Sequence, residues 1–150
     1  MTTTAPTVWT CDACGDDITD PSQAWVLFRR DADGKDFDFH IVHHNDYGKR
    51  CDPPAMPASI QLSELLGPAG LSELLSFLSP GPINGGSRVT VADMNEFVDL
   101  VRRIQVPWYE QARKFWNAPQ TREWFDAGDT YAPYLPENLE RIATQPVEEE

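Results

Sequence analysis

The chain has 150 residues, of which 24 are acidic and 12 basic, giving a net charge of −12, and 41 % are hydrophobic. This acidic balance argues against a protein that grips nucleic acid or an anionic membrane with its whole surface, because phosphate binding needs clustered Lys and Arg. The hydrophobic content excludes a wholly disordered chain. The sequence shows no secretion signal and no apolar run long enough for a membrane span, so we expect a cytoplasmic protein.

The first third of the chain predicts a β-hairpin. Residues 24–30 and 37–43 are rich in aromatic and β-branched side chains, and the second segment alternates apolar and polar residues. Asp33-Gly34 between them is typical of a hairpin turn, because glycine tolerates the positive φ that such turns require. An isolated two-stranded ribbon of this kind is only marginally stable.

The remainder predicts helices separated by proline-containing turns. Leucine spacing predicts two short helices over 60–66 and 69–78, and apolar spacing predicts a longer helix over 91–105 with Thr90 as its N-cap. Three further short helices are predicted over 108–116, 122–126 and 136–144.

Two of the three cysteines, Cys11 and Cys14, form a CxxCG motif. Such a turn presents two thiolates to one ion, and the glycine after it permits a left-handed backbone. The predicted hairpin returns the chain toward this motif, where His43, His44 and Cys51 follow. These residues predict a tetrahedral Zn2+ site made of Cys11, Cys14, His43 and Cys51.

Either histidine could complete this site. We prefer His43, because it follows Phe39 and Ile41 along one face of the predicted strand. His44 instead shares a face with His40. The histidines that bind no metal are then interpreted as exposed polar strand residues.

Other cysteine chemistries fit less well. A thioredoxin-like redox pair needs a helix after CxxC, whereas the sequence GDDITDP that follows predicts turns. A zinc deaminase needs an HxE motif and a proline before CxxC, and the chain has neither. Since four protein ligands leave no position for water, a structural role for zinc is favoured over a catalytic one.

Residues 8–52, from the CxxCG motif through the histidine pair to Cys51, resemble the zinc-ribbon or zinc-finger segments of small bacterial proteins. The resemblance implies a metal-nucleated hairpin and no particular reaction. The usual second CxxC of a ribbon is replaced here by HHNDYGKRC. The segment 39–43 is also similar to the strand of an HNH nuclease, although Phe39 stands where that strand has an acidic residue.

We therefore expect an α+β protein in which a zinc-stabilised, zinc-ribbon-like β-hairpin at residues 8–52 packs on an all-helical C-terminal domain at 59–144. Residues 145–150 are expected to form a disordered tail. Aromatic residues recur between positions 108 and 134, either as core or as a surface for a partner: Trp108, Tyr109, Phe115, Trp116, Trp124, Phe125, Tyr131 and Tyr134. The basic pairs Arg102-Arg103 and Arg113-Lys114 are expected on solvated helix faces.

The predicted function is that of a zinc-binding regulatory or adaptor protein that recognises another protein. An enzyme is not expected, because no nucleophile–base arrangement and no carboxylate pair stand out. The alternative is a nucleic-acid-associated regulator whose zinc hairpin presents Arg29, Arg30, Lys49 and Arg50. A metal-dependent, HNH-like nuclease is the third and least favoured hypothesis.

Overall fold

The structure, a computed structural model, describes residues 5–44, 51, 58–84, 90–126 and 128–146. Its small antiparallel sheets and short helices are compatible with an α+β fold. The chain divides into two compact units, Val8–Gln105 and Val106–Glu150, the latter with Met1–Thr7. Residues Ala58–Gln61, at the start of the predicted helical domain, form a strand that pairs with the hairpin. Within the described part of the chain, no helix has both the length and the apolar character needed to cross a membrane.

The predicted hairpin is confirmed. Strands β3 (Ala24–Arg30) and β4 (Asp36–His43) pair in antiparallel fashion. Gly34 adopts a φ of 77° in the connecting turn, and the Asp31 amide donates to the Lys35 carbonyl at 2.8 Å. Glycine at this turn position therefore has the conformational role that the sequence predicts.

The predicted helix over 60–66 is wrong. Residues Ala58–Gln61 form strand β5, which pairs antiparallel with β3 so that Trp25 faces Gln61 and Phe28 faces Ala58. A 3-10 turn, Leu62–Leu65, follows directly. The second edge of β3 would otherwise leave backbone donors and acceptors without partners, and this requirement outweighs leucine spacing. The result is a three-stranded sheet in the order β4-β3-β5.

Helix α1 (Gly67–Ser76) is close to its predicted range, but α2 begins at Met94 and ends at Gln105, three residues later than predicted at its start. Val91 instead forms a parallel bridge with Asp36. Thr90 is not the N-cap, since its hydroxyl donates to the Phe77 carbonyl. Asp93 caps the helix by accepting from the amides of the second and third residues after it, at 2.9 and 3.2 Å.

A β-bulge in β4 explains how α2 is positioned. Between the pairs Leu27–His40 and Arg29–Phe37 the register shifts by one residue, and Asp38 there has a φ of 59°. Glu96 in the first turn of α2 accepts from the Asp38 amide at 2.7 Å. The helix carboxylate thus satisfies a backbone donor that the bulge removes from the strand ladder.

The core of the Val8–Gln105 unit lies between the sheet and these helices. The rings of Phe28 and Phe39 stack at 5.2 Å, and those of Phe77 and Phe97 lie 5.4 Å apart. Among the described residues of the unit, the largest fully buried side chains come from both the strands and the helices: Ile18, Val26, Ile41, Val42, Leu62, Leu65, Leu74 and Phe97.

In the described part of the Val106–Glu150 unit, the helices predicted over 108–116 and 136–144 are present as α3 (Tyr109–Ala112, continued by a 3-10 turn at Arg113–Phe115) and α5 (Pro136–Ala143). Helix α4 (Pro119–Trp124) begins before the predicted segment 122–126 and ends before Phe125, which is extended, because Pro119 fits the first turn of a helix. The core of this unit consists of Tyr109, Ala112, Phe115, Leu139 and Ile142, with most of the other aromatic rings packed partly buried against it. The predicted aromatic series is therefore mainly core, with the exception of Tyr131, which is 71 % exposed.

The end of the described chain is more ordered than a tail beginning at residue 145. Gln145 is buried, and its side-chain amide donates to Thr121 Oγ1 at 2.8 Å and to the Ile142 carbonyl at 2.9 Å. Residues 147–150 of the predicted tail lie outside the described residues.

Candidate metal centre

The CxxCG motif forms a tight turn between two very short strands. Strands β1 (Trp9–Thr10) and β2 (Asp17–Ile18) pair antiparallel on either side of it. Inside the turn, the Gly15 amide donates to the Cys11 carbonyl at 2.9 Å, and Gly15 has a φ of 79°. The glycine thus has the left-handed backbone that the motif predicts, although the strand after it was not predicted.

The turn is fixed against the end of β4, which carries His43. The Asp12 amide donates to the Ile41 carbonyl at 2.8 Å, and the Ile41 amide donates back to Asp12 Oδ2 at 2.8 Å. This reciprocal pair places Asp12, the residue directly after Cys11, beside the strand that carries His43. Two ligand positions separated by 29 residues in sequence, Cys14 and His43, thereby come together.

The four predicted ligands converge. One ligand atom each from Cys11, Cys14, His43 and Cys51 lies within 4.8 Å of all the others. His43 Nδ1 is 3.4 Å from Cys14 Sγ and 3.7 Å from Cys51 Sγ. A tetrahedral Zn2+ with normal bond lengths has a nitrogen–sulfur edge of about 3.6 Å, so these separations suit one ion at the centre. The four residues could hold a metal ion.

The histidine tautomer also suits a ligand role. His43 Nε2 lies 3.2 Å from the carbonyl oxygen of Asp17. Because a carbonyl oxygen can only accept, this contact suits the tautomer that carries its proton on Nε2 and directs the lone pair of Nδ1 toward the two sulfurs. A backbone carbonyl that receives the second ring N–H is a common way to orient a metal-binding histidine.

His44, the competing histidine, lies elsewhere. Its ring stacks on Trp25 with centroids 4.7 Å apart and an interplanar angle of 25°. The group that the structure brings together contains His43 and not its neighbour. His40, on the same strand, contacts Asp38 through Nε2 at 2.8 Å.

The electrostatics of the sulfur cluster favour a cation. Burial raises the pKa of the Cys11 thiol, but backbone hydrogen bonds from Cys14 and His43 outweigh burial and lower this pKa to about 7. Burial, together with hydrogen bonds and negative charge from Cys11 and Cys14, raises the pKa of Cys51 to about 12. The Cys11 thiolate therefore forms readily, whereas ionisation of Cys51 is unfavourable in the metal-free cluster. A bound cation removes this obstacle, since it compensates the mutual repulsion of three thiolates.

The turn is joined to α2 by a residue that sequence analysis placed on a solvated face. Arg103 is only 5 % exposed, and its Nη1 donates to Asp12 Oδ2 at 2.8 Å while Nη2 donates to the Thr10 carbonyl at 3.2 Å. The expectation of a solvated Arg103 is therefore wrong. Its position three residues after Leu100 and directly before Ile104, both buried, is the signal that could have revealed it.

No family model matches the chain. No curated protein and no solved structure is significantly similar to it either. The resemblance of residues 8–52 to zinc ribbons therefore stays a prediction, and the interpretation of the centre depends on its own ligands and geometry.

The two hairpin arginines of the predicted basic group are already engaged with acids. Arg29 Nε lies 3.1 Å from Asp38 Oδ2, and Arg30 Nε lies 2.9 Å from Oδ1 of the buried Asp36. A phosphate backbone would have to compete with these carboxylates. Lys49 and Arg50, the other members of the predicted basic group, lie outside the described residues.

Proposed function

We propose that this chain is a zinc-binding regulatory or adaptor protein in which a closed Cys3His centre holds the Val8–Gln105 unit in shape for recognition of another protein. The observation that carries the proposal is the convergence of Cys11, Cys14, His43 and Cys51 within 4.8 Å. A ligand set of thiolates and imidazole favours the binding of zinc over that of harder cations such as Mg2+ or Ca2+.

Several features support a structural rather than a catalytic role for the ion. Four protein ligands complete a tetrahedron and leave no position for a water nucleophile. Cys11 and Cys51 are buried and Cys14 lies at the surface, so the complete set of four ligands, and not burial, supports the structural role. When bound, zinc would cross-link the CxxCG turn, strand β4 and Cys51. The hydrogen bonds around these segments would set the positions of the ligands.

Recognition of a protein partner is supported by charge and by exposed aromatic surface. Residues 106–150 contain nine acidic and four basic side chains, which favours a basic partner surface. Tyr131 is 71 % exposed in this acidic unit, and tyrosine is enriched among residues that dominate interface energies.

Metal analysis of the purified full chain tests the zinc part of the proposal. We expect about one zinc per chain, as a closed four-ligand site implies. Cys51→Ser and His43→Ala should each lose most of the metal, whereas His44→Ala, the matched control, should retain it. A wild-type protein without stoichiometric metal, or equal loss in His43→Ala and His44→Ala, would contradict the proposed centre.

Partner binding tests the recognition part. A partner recovered from the native host should bind the wild-type chain in a purified assay and bind Tyr131→Ala more weakly, by about tenfold or more if Tyr131 is a hot spot. The double variant Arg29→Ala/Arg30→Ala should bind equally well. The opposite pattern, with affinity for nucleic acid that falls steeply with salt and with loss of these arginines, would favour the nucleic-acid alternative instead.

A further inference from the structure

A cavity of about 350 Å³, which we call the aromatic cleft, lies within the Val106–Glu150 unit. Aromatic side chains from three parts of the unit line it: Tyr109, Trp116, Phe125 and Tyr134. The Tyr109 and Trp116 rings are 5.4 Å apart and inclined at 59°, and the Trp116 and Tyr134 rings are 6.0 Å apart and nearly perpendicular at 85°. The wall of the cavity therefore combines several aromatic rings that pack against one another at an angle.

Charged side chains line the same cavity. Asp126 and Asp129 are both exposed, and Asp129 Oδ2 accepts from the Asp126 amide at 2.9 Å, which fixes one carboxylate. Arg122 also lines the cavity, and its Nη2 donates to Asn117 Oδ1 at 2.7 Å. Two carboxylates against one guanidinium leave the cavity with an excess of negative charge.

We propose that this aromatic cleft binds an alkylammonium cation, either a free quaternary ammonium compound or a lysine side chain of a partner, methylated or not. The faces of aromatic rings carry negative electrostatic potential, and they attract ammonium groups that lie within about 6 Å. The carboxylates add attraction for the same charge. A neutral ligand would desolvate them without compensation, and an anion would be repelled.

The same unit already holds one of its own cations on a ring face. The guanidinium carbon of Arg141 lies 3.7 Å from the centroid of Trp124. That intramolecular contact is separate from the cleft, since neither residue lines it. It shows that cation–π contact is compatible with the packing of this unit.

This inference rests on the proposed recognition role. It adds to that role the chemical class of the group that is recognised. The cleft-lining residues all lie between positions 109 and 142, whereas the metal ligands lie between 11 and 51. Metal content and cleft binding are therefore measured separately on the same full-length sample, and either can fail without the other.

A pair of isosteric probes tests the cleft. Choline and 3,3-dimethylbutanol have the same shape and differ in charge, and each is titrated into the full chain while the indole resonances of Trp116 are followed by NMR. We expect saturable binding of choline that is about tenfold tighter than binding of the neutral alcohol. Equal affinity of the two probes, or no perturbation of Trp116 by choline, would overturn the proposal.

Charge-neutralising variants locate the site. Asp129→Asn keeps an oxygen that can accept from the Asp126 amide, and we expect it to weaken choline binding by about two- to fivefold. Glu137→Gln removes an exposed charge from α5 outside the cleft and is the matched control, which should leave affinity unchanged. Equal weakening by both variants would mean general charge attraction and would overturn the assignment of the cleft.

The source of the cation is distinguished by comparing choline with lysine derivatives. Trimethylated and unmodified N-acetyl-lysine amide are titrated in parallel with a short lysine-containing peptide. Tighter binding of the peptide than of choline identifies a protein side chain as the ligand, and tighter binding of choline identifies a free quaternary ammonium compound. Either order supports a cation site, whereas failure of every cation to bind more tightly than 3,3-dimethylbutanol rejects it.

Discussion

Arg103 Nη1 lies 2.8 Å from Asp12 Oδ2, so a buried guanidinium of helix α2 holds the residue that directly follows the first cysteine of the CxxCG motif. The Asp12 carboxylate is 21 % exposed and the Arg103 side chain only 4 %. A buried charge of this kind is tolerated only while its partner remains. The ion pair therefore couples the position of the turn at Cys11 and Cys14 to the helix.

Asp12→Asn should destabilise the fold by about 3 kcal/mol, because Asn retains an acceptor for the Ile41 amide but removes the negative charge that faces the buried Arg103 guanidinium. Chemical denaturation monitors the free energy of unfolding. Arg102→Met, which changes the neighbouring and less buried arginine, should cost less than about 1 kcal/mol. Similar costs for the two variants would show that the ion pair has no special role.

Chelation of the metal should destabilise the Val8–Gln105 unit first. Structural zinc contributes about 10–16 kcal/mol of binding free energy in zinc-finger peptides, and part of that energy maintains the fold. A strong chelator should lower the melting temperature of the wild-type chain, and added zinc should restore it. Cys14→Ser, which lacks one ligand, should melt at a low temperature that the chelator barely changes; a chelator response equal to the wild type would contradict Cys14 as a ligand.

Zinc affinity should rise with pH, because the thiols must lose protons to bind the metal. With a pKa of about 12, Cys51 is a neutral thiol in the metal-free protein throughout the neutral range and releases one proton on binding. Cys11, with a pKa of about 7, releases a further proton on binding mainly below that pH. Each proton released on binding makes the zinc affinity rise by a further factor of about ten per pH unit.

Competition with a chelator of known affinity, repeated from pH 6 to pH 8, measures this slope. We expect the slope to be steeper below about pH 7 than above it, since Cys11 then also releases its proton. The Cys51→Ser variant should bind more weakly and show a shallower dependence above about pH 7. An affinity that does not change with pH would exclude thiol ligands.

Gly70→Ala should destabilise the chain although alanine is the better helix former. A Cβ at position 70 would collide with the backbone carbonyl of Leu65, which cannot move away as a flexible side chain could. We expect a loss of about 2 kcal/mol, the scale of overpacking in a tight core, despite a gain of about 1 kcal/mol in helix propensity. Gly128→Ala, where the added carbon meets nothing within 4 Å, is the control and should be nearly neutral in thermal unfolding.

The parts of the fold that sequence predicts well are those set by local chemistry. The hairpin followed from residue alternation and from Asp33-Gly34, and the choice of His43 followed from its strand face. In each case neighbouring residues along the chain carried the necessary information.

The parts that sequence missed depend on contacts between distant residues. Strand β5 is followed directly by leucines at helical spacing, which led to the prediction of a helix there. Only the pairing of β5 with β3 makes this segment a strand. Arg103 looked like half of a solvated basic pair, because its partner Asp12 lies 91 residues earlier. The start of α2 was displaced by the bridge between Asp36 and Val91, which no local propensity encodes.

The central position of β3 has one more consequence. This strand, with the sequence AWVLFRR, contains the most apolar run in either described sheet, and both of its edges are paired, by β4 and by β5. Such a segment would recruit strands from other molecules if an edge were open. The short segment Ala58–Gln61 thus protects the protein from aggregation, and its detachment would convert a monomer-compatible sheet into a template for intermolecular β-pairing.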